Sequence, residues 1–278
     1  MTSPTPEALD LKAVVRQAVA ALDGAPPDTY PTTSDLTIDE ELALHSIGWE
    51  PVELVSGVSI VSIPLGWWNW GQGEITAAAE AHRHAFANAV ARLHREAARA
   101  GGHGVVGVRV ESAVRPTHVE VALVGSAVRP VGAGACPEAE VFLSDLSGRD
   151  FTLLSVAGWE TVGLAVGSSF VFAPRRSMGA VLGQQTQNVE LTNFTEAMYA
   201  ARETAMTRMQ DAALALGGTG VVGVSVDEGP MSFASHAVGF VAVGTVVRAG
   251  PAGHQRVAPM TVVPLDDAVV AFDARTLE

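Results

Sequence analysis

The chain has 278 residues, enough for two compact cores, and carries 17 basic against 30 acidic side chains for a formal net charge of −13. That balance excludes a binder of nucleic-acid backbones, which needs a dense basic patch to gain counterion-release energy. The single cysteine, Cys136, excludes an intrachain disulfide, a thiolate metal cluster and a CxxC redox pair.

The N-terminus, Met1-Thr2-Ser3-Pro4-Thr5-Pro6, has neither the basic n-region nor the apolar h-region of a leader. No apolar run approaches the roughly 18 residues of a transmembrane helix, so a cytoplasmic protein without a transmembrane segment is expected. Leu9, Val14, Val15, Ala18 and Leu22 recur at helical spacing and predict a short amphipathic helix from Pro6 to Leu22. Gly24-Ala25-Pro26-Pro27 stops it, and residues 1–33 read as this helix and an extended linker.

From Ser34 the chain runs through one pattern twice. Ser34-Asp35-Leu36 and Gly48-Trp49-Glu50 recur 110 positions later as Ser144-Asp145-Leu146 and Gly158-Trp159-Glu160. Gly101-Gly102-His103-Gly104-Val105-Val106-Gly107-Val108 recurs 116 positions later as Gly217-Gly218-Thr219-Gly220-Val221-Val222-Gly223-Val224. The expected layout is a first repeat over 34–130, a linker over 131–143, a second repeat over 144–249 and a tail over 250–278. Lys12, the only lysine, lies outside both repeats, which removes a P-loop or Schiff-base lysine from either.

Within the first repeat, Leu36 to Leu44 reads as a short capped helix or turn, with acidic residues near its start where the helix dipole favours them. Trp49 to Ile63 is rich in β-branched residues and reads as a strand, with a bend placed at Gly57. Glu74 to Ala100 lacks Pro and Gly and sets Ile75, Ala79, Phe86, Val90, Leu93 and Ala97 on one face, the pattern of an amphipathic helix. Strands follow over Val105–Glu111 and Val119–Val128. The second copy repeats the order as strand Trp159–Ala173, helix Val189–Leu216 and strands Val221–Asp227 and Val238–Val247. The expected class is therefore α+β, a tandem of two β-α-β-β units, each a small mainly antiparallel sheet under one long helix.

The order Gly-Trp-Glu, β-rich segment, alanine-rich helix, Gly-Gly-x-Gly-Val-Val-Gly-Val and a last strand ending Val124-Gly125-Ser126-Ala127-Val128 or Val243-Gly244-Thr245-Val246-Val247 resembles the YbjQ family. The resemblance implies a dodecin-like subunit, fivefold rings and a heavy-metal-binding label. Two fused copies then imply a homopentamer, and five chains in two stacked rings leave no repeat unpaired.

Gly102-x-Gly104-x-x-Gly107 and Gly218-x-Gly220-x-x-Gly223 match the letters of a dinucleotide fingerprint, but here a helix enters and a strand leaves, the reverse of what a pyrophosphate site needs. The glycines are read instead as helix cap, tight turn and close helix–sheet approach. Histidines are the candidate ligands for a divalent transition metal. His118 and His236 stand at the start of the last strand of each repeat, while Glu80 and His84 lie four apart on one helix, a chelating spacing. Exposed strand-end histidines are the plain alternative. His82, beside Ala79 and Phe86, reads as a packed or interface histidine. Trp67, Trp68 and Trp70 sit in a glycine-flanked loop that the second repeat replaces with Arg175 to Gly179; they serve packing or a protein or subunit interface. Glu50 and Glu160 belong to the repeated strand signatures and read as structural.

No nucleophile elbow or other catalytic constellation emerges. A non-enzymatic, ring-forming scaffold or binding protein is the first reading. A small-molecule or metal-storage protein, and an enzyme with its site at the repeat junction, are the alternatives.

Overall fold

A computed structural model describes residues 33–64, 73–174, 190–231 and 236–251. The expected N-terminal helix, the Trp67–Trp70 loop, Arg175–Gly179 and the chain beyond residue 251 lie outside them. From Ser34 onward the described residues form one compact unit.

Each repeat opens with a short helix, α1 (Ile38–Ser46) or α3 (Gly148–Val156). Thr37 and Glu40 form a capping box on α1, and the Ser147 hydroxyl accepts from Asp150 N on α3, so both ends satisfy donors that a bare terminus would leave open. A 14-residue strand follows, β1 (Trp49–Ser62) or β6 (Trp159–Phe172). Then come the long helices α2 (Thr76–Arg99) and α4 (Thr192–Ala215), each of 24 residues. The hairpins β3 (Gly104–Val114) with β4 (His118–Pro130) and β7 (Gly220–Pro230) with β8 (Ala237–Ala249) complete the units. Strands β4 and β8 are central and antiparallel to both neighbours. Val105–Glu111 and Val221–Asp227 thus occupy equivalent places in their sheets.

Glycine placement follows packing. A Cβ at Gly57 would stand 2.2 Å from the Ala89 carbonyl oxygen, and one at Gly167 1.9 Å from that of Ala205, so these positions let a helix backbone lie directly on a strand. The strand irregularity expected at Gly57 falls instead between Pro51 and Glu53, repeated between Thr161 and Gly163. Pro51 has no N–H to give the ladder, which accounts for the shift in the first copy. Cross-strand pairs give the repeated glutamates their role: Arg129 Nε donates to Glu50 at 2.8 Å and Arg248 Nε to Glu160 at 2.9 Å.

Two short strands have no counterpart in the sequence reading. Gly73–Glu74 (β2), just before α2 of the first repeat, pairs with β6 of the second. Phe142–Leu143 (β5), within the expected linker, runs parallel to β3 of the first repeat. The sheets are thus β1-β4-β3-β5 and β2-β6-β8-β7, each containing a strand from the other half. The apolar core crosses the same boundary: Leu164, Phe170, Phe172 and Val243 join the cluster built on α2, β1, β3 and β4. Ala165, Ala205, Met209 and Ala242 pack separately under α4. Side chains alternate along a strand, so the second sheet carries α4 on one face and the first repeat on the other.

Candidate functional site

The junction between the repeats is where the chain gathers cavity, charge and buried polar groups. Ile75, the cap residue before helix α2, donates its N–H to the Phe170 carbonyl at 2.7 Å, and from there the helix's outer face runs across the back of the second sheet. A cleft of about 540 Å³ remains between them, lined on one side by Ala79, His82 and Phe86 and on the other by Leu164, Ser168 and Arg208.

Arg208 on α4 ties this junction. Its Nη2 donates to Glu74 Oε2 at 3.0 Å, its Nη1 to the other carboxylate oxygen and, at 2.8 Å, to the Ser168 carbonyl; the Ser169 hydroxyl also donates to Glu74 at 3.0 Å. A two-pronged guanidinium–carboxylate contact of this kind fixes orientation as well as adding energy. Glu74 belongs to the first repeat and all its named donors to the second, so the pair is a clasp between halves.

His82 lies inside the same boundary, only 1% exposed, its ring 5.7 Å from that of Phe170. Neither ring nitrogen has a hydrogen-bond partner in the protein. Burial drives its pKa down to about 4, because a charged imidazolium there would lose its hydration without gaining a counter-ion. The neutral ring therefore acts as packing, as its place on the apolar stripe implied.

On the other side of the junction, the strand carrying β5 continues into Ser144-Asp145-Leu146 along the β3 edge. Ser144 N donates to Val105 O and Val108 N to Ser144 O, both at 2.9 Å, and Gly107 N donates to Leu146 O at 2.8 Å. The Phe142 ring covers Gly104, where an added Cβ would meet it at 2.1 Å. Asp145 in turn accepts from the Thr245 hydroxyl of its own repeat, just as Asp35 accepts from Ser126.

The metal candidates are not brought together. His118 is half-buried at the head of β4, with Nε2 2.7 Å from Glu120 Oε1 and Nδ1 2.9 Å from Thr117 Oγ1. His236 precedes β8, its ring stacked on Phe172 at 5.0 Å and its Nε2 buried. Glu80 and His84 stand exposed on α2. Among the described residues no three His, Cys, Asp or Glu side chains converge as a cation site would require. The Trp67, Trp68 and Trp70 interface assignment lies outside the described residues. Among the described residues no helix is long and apolar enough to cross a membrane.

Comparison with known proteins gives two matches. The family profile YbjQ_1, described as "Putative heavy-metal-binding", matches residues 159–250, most of the second repeat. Over 241 residues the chain is 36% identical to the encapsulin nanocompartment protein Rv1762c of Mycobacterium tuberculosis, an alignment covering 84% of this chain and 92% of that protein.

Proposed function

The chain belongs to the YbjQ family and shares nearly its full length with an encapsulin nanocompartment protein; from that premise we propose that it is a non-enzymatic, self-assembling ring protein that serves a protein nanocompartment in the cytoplasm as scaffold or binding module. One observation carries the assembly reading. The faces that join the two repeats inside the chain have exposed counterparts among the described residues on the repeats' other sides. Leu54, Val58 and Ile60 on the back of β1 are 38, 49 and 65% exposed, whereas Leu164, Ser168 and Phe170 at the matching places in β6 are at most 8% exposed. An apolar strip along a sheet edge invites another chain.

Homopentameric closure is the size that the family resemblance implies. The way the repeats meet favours their alternation around one circle over two stacked layers, because inside the chain α2 of the first repeat lies across the back of the second sheet and the back of the first sheet offers the same kind of face to the next chain. Native mass spectrometry with sedimentation tests this reading. An assembly of several chains is expected, a mass of five chains fixes the count, and a mass near one 28.8 kDa chain at micromolar concentration overturns it.

The cleft at the junction favours a second reading, small-molecule binding or storage, since its walls are mainly apolar with a few charged groups at the rim. It speaks less for an enzyme, because both His82 nitrogens are sealed from any occupant. Binding would show as a ligand-dependent rise in melting temperature that filling the cleft by Ala79→Phe removes. Metal binding remains open to the same mass measurement combined with elemental analysis, and would need ligands from more than one chain.

A further inference from the structure

We infer that the second repeat of one chain docks on the first repeat of another through a copy of the intrachain junction, with Glu190 of one chain clasping Arg92 of the next. This rests on the ring reading above and names the surfaces that would close it.

The inference follows from comparing equivalent residues. The long helices are related by 116 positions and strands β1 and β6 by 110, so the clasp residues Glu74, Arg208 and Ser169 correspond to Glu190, Arg92 and Ser59. All three residue types are retained. In the first repeat Arg92 already points as Arg208 does: its Nη1 donates to the carbonyl of Val58, the counterpart of Ser168. Among the described residues no glutamate stands to it as Glu74 stands to Arg208. The residue that corresponds to Glu74 is Glu190, exposed just before α4 and accepting one bond from Thr195 at 2.9 Å.

The surroundings agree. A groove of about 380 Å³ lies on the open side of the first repeat, lined by Ser56, Gly57, Val58, Arg92, Arg95, Glu96 and Arg99. Every one of these corresponds to a residue on the second-repeat wall of the inter-repeat cleft, from Val166 to Ala215. The groove is therefore half of a junction whose other half is the start of an α4-type helix. Charge matches as well. Arg92, Arg95 and Arg99 are exposed on α2, with Glu96 held by the Ser56 N–H at 2.9 Å, while the α4 face that would meet them exposes Glu190, Glu196 and Glu203 beside Arg202. Opposed charge of this kind fixes register and partner.

The far side of the junction repeats too. Ser144-Asp145-Leu146 covers β3, and its counterpart Ser34-Asp35-Leu36 is seated on its own sheet in the same way, with Asp35 N donating to Ser126 Oγ at 3.1 Å as Asp145 N does to Thr245 Oγ1 at 3.0 Å. Strand β7, which would receive it from another chain, exposes Val224 to 40% and Val226 to 48%, where its counterpart in β3, Val108, is 3% exposed. A heterologous contact of this kind propagates head to tail and closes only as a ring, with the repeats alternating.

The test uses the full chain with Arg92→Glu, with Glu190→Arg, and with both changes, followed by native mass spectrometry and sedimentation beside circular dichroism. Each single reversal is expected to raise the concentration at which the assembly dissociates by about tenfold or more while leaving the spectrum unchanged, and the double reversal to restore assembly. Glu190→Arg, outside the helix, keeps the test valid should Arg92→Glu disturb folding. An assembled parent whose single variants dissociate no more readily overturns this junction and leaves the ring reading standing. A parent of single-chain mass overturns both.

Discussion

Strands β3 and β7 have nearly the same sequence at their start and opposite surroundings. Gly104-Val105-Val106-Gly107-Val108 lies beneath Phe142 and the Ser144–Leu146 segment, whereas Gly220-Val221-Val222-Gly223-Val224 has no strand on its outer edge among the described residues. Strands β6 and β1 differ in the same sense, one backed by α2 and the other bare. The difference teaches that the repeat is not a self-sufficient domain. Each unit has one helix for one sheet face and depends on a neighbour for the other, and among the described residues only one of two such needs is met.

The largest expected effect comes from adding a side chain at the two matched glycines. Gly104→Val drives its Cβ into the Phe142 ring, while at Gly220 the nearest atom to a Cβ is in Val247 at an ordinary 3.6 Å. Gly104→Val should cost about 3 kcal/mol, the upper range for overpacking, and Gly220→Val well under about 1 kcal/mol in the dissociated chain. Chemical denaturation of both variants below the assembly concentration measures this. Equal losses would mean that the two edges are not in different surroundings.

Glu74→Gln comes next. Replacing the carboxylate by an amide leaves Arg208 one neutral acceptor oxygen beside the Ser168 carbonyl in place of a half-buried two-pronged ionic contact, for an expected loss of about 2 kcal/mol. Glu190→Gln in the dissociated chain should change stability by no more than a few tenths of a kcal/mol, the usual scale for an exposed position. The comparison breaks if the two glutamines cost the same.

His82 offers a change in the other direction. Its counterpart in α4 is Met198, and His82→Met replaces a buried ring with two unpartnered nitrogens by an apolar side chain of similar reach. A gain of about 1 kcal/mol is expected. The sign of the pH dependence is fixed by a folded-state pKa of about 4 against an ordinary value of 6.5. The unfolded chain takes up a proton first, so the parent keeps this contribution in full above about pH 6.5 and loses it progressively as pH falls toward 4. The variant's denaturation midpoint should exceed the parent's at neutral pH, and by a wider margin at about pH 5. A variant that tracks the parent at both would show His82 to be solvated.

Much of this was legible in the sequence. The long helix expected over Glu74–Ala100 is observed as Thr76–Arg99, and the four hairpin strands fall within a few residues of their expected bounds, because 3.6-residue periodicity and β-branched runs are local signals. Strands β2 and β5 were not legible, since two residues carry no period and their partners lie in the other repeat. The junction was missed for the same reason. Its clue was present as the retained Glu74/Glu190, Arg92/Arg208 and Ser59/Ser169 pairs, which have no meaning until the fold shows which member of each pair meets which. His82 could be placed on an apolar face by spacing, but nothing in the sequence shows that its neighbour would be Phe170, 88 positions away.

The smallest expected effect concerns metal. His118 and His236 differ in the way the two edges differ: His118 has an acidic partner in Glu120, and His236 is stacked on Phe172 with its Nε2 buried. A zinc or copper ion needs three or four N, O or S donors in a compact shell, and among the described residues neither histidine belongs to such a cluster. Alternation of repeats in a ring would add donors only if the ends of β4 and β8 approached one another across chains, whereas the junction contacts named above run along β1, β3, β6 and the helices. Elemental analysis of the assembled protein should therefore find less than one transition-metal ion per chain, unchanged by His118→Ala with His236→Ala. Stoichiometric zinc or copper that this double substitution removes, with the fold intact, would restore these histidines as ligands and require an interchain geometry different from the one inferred from Arg92 and Glu190.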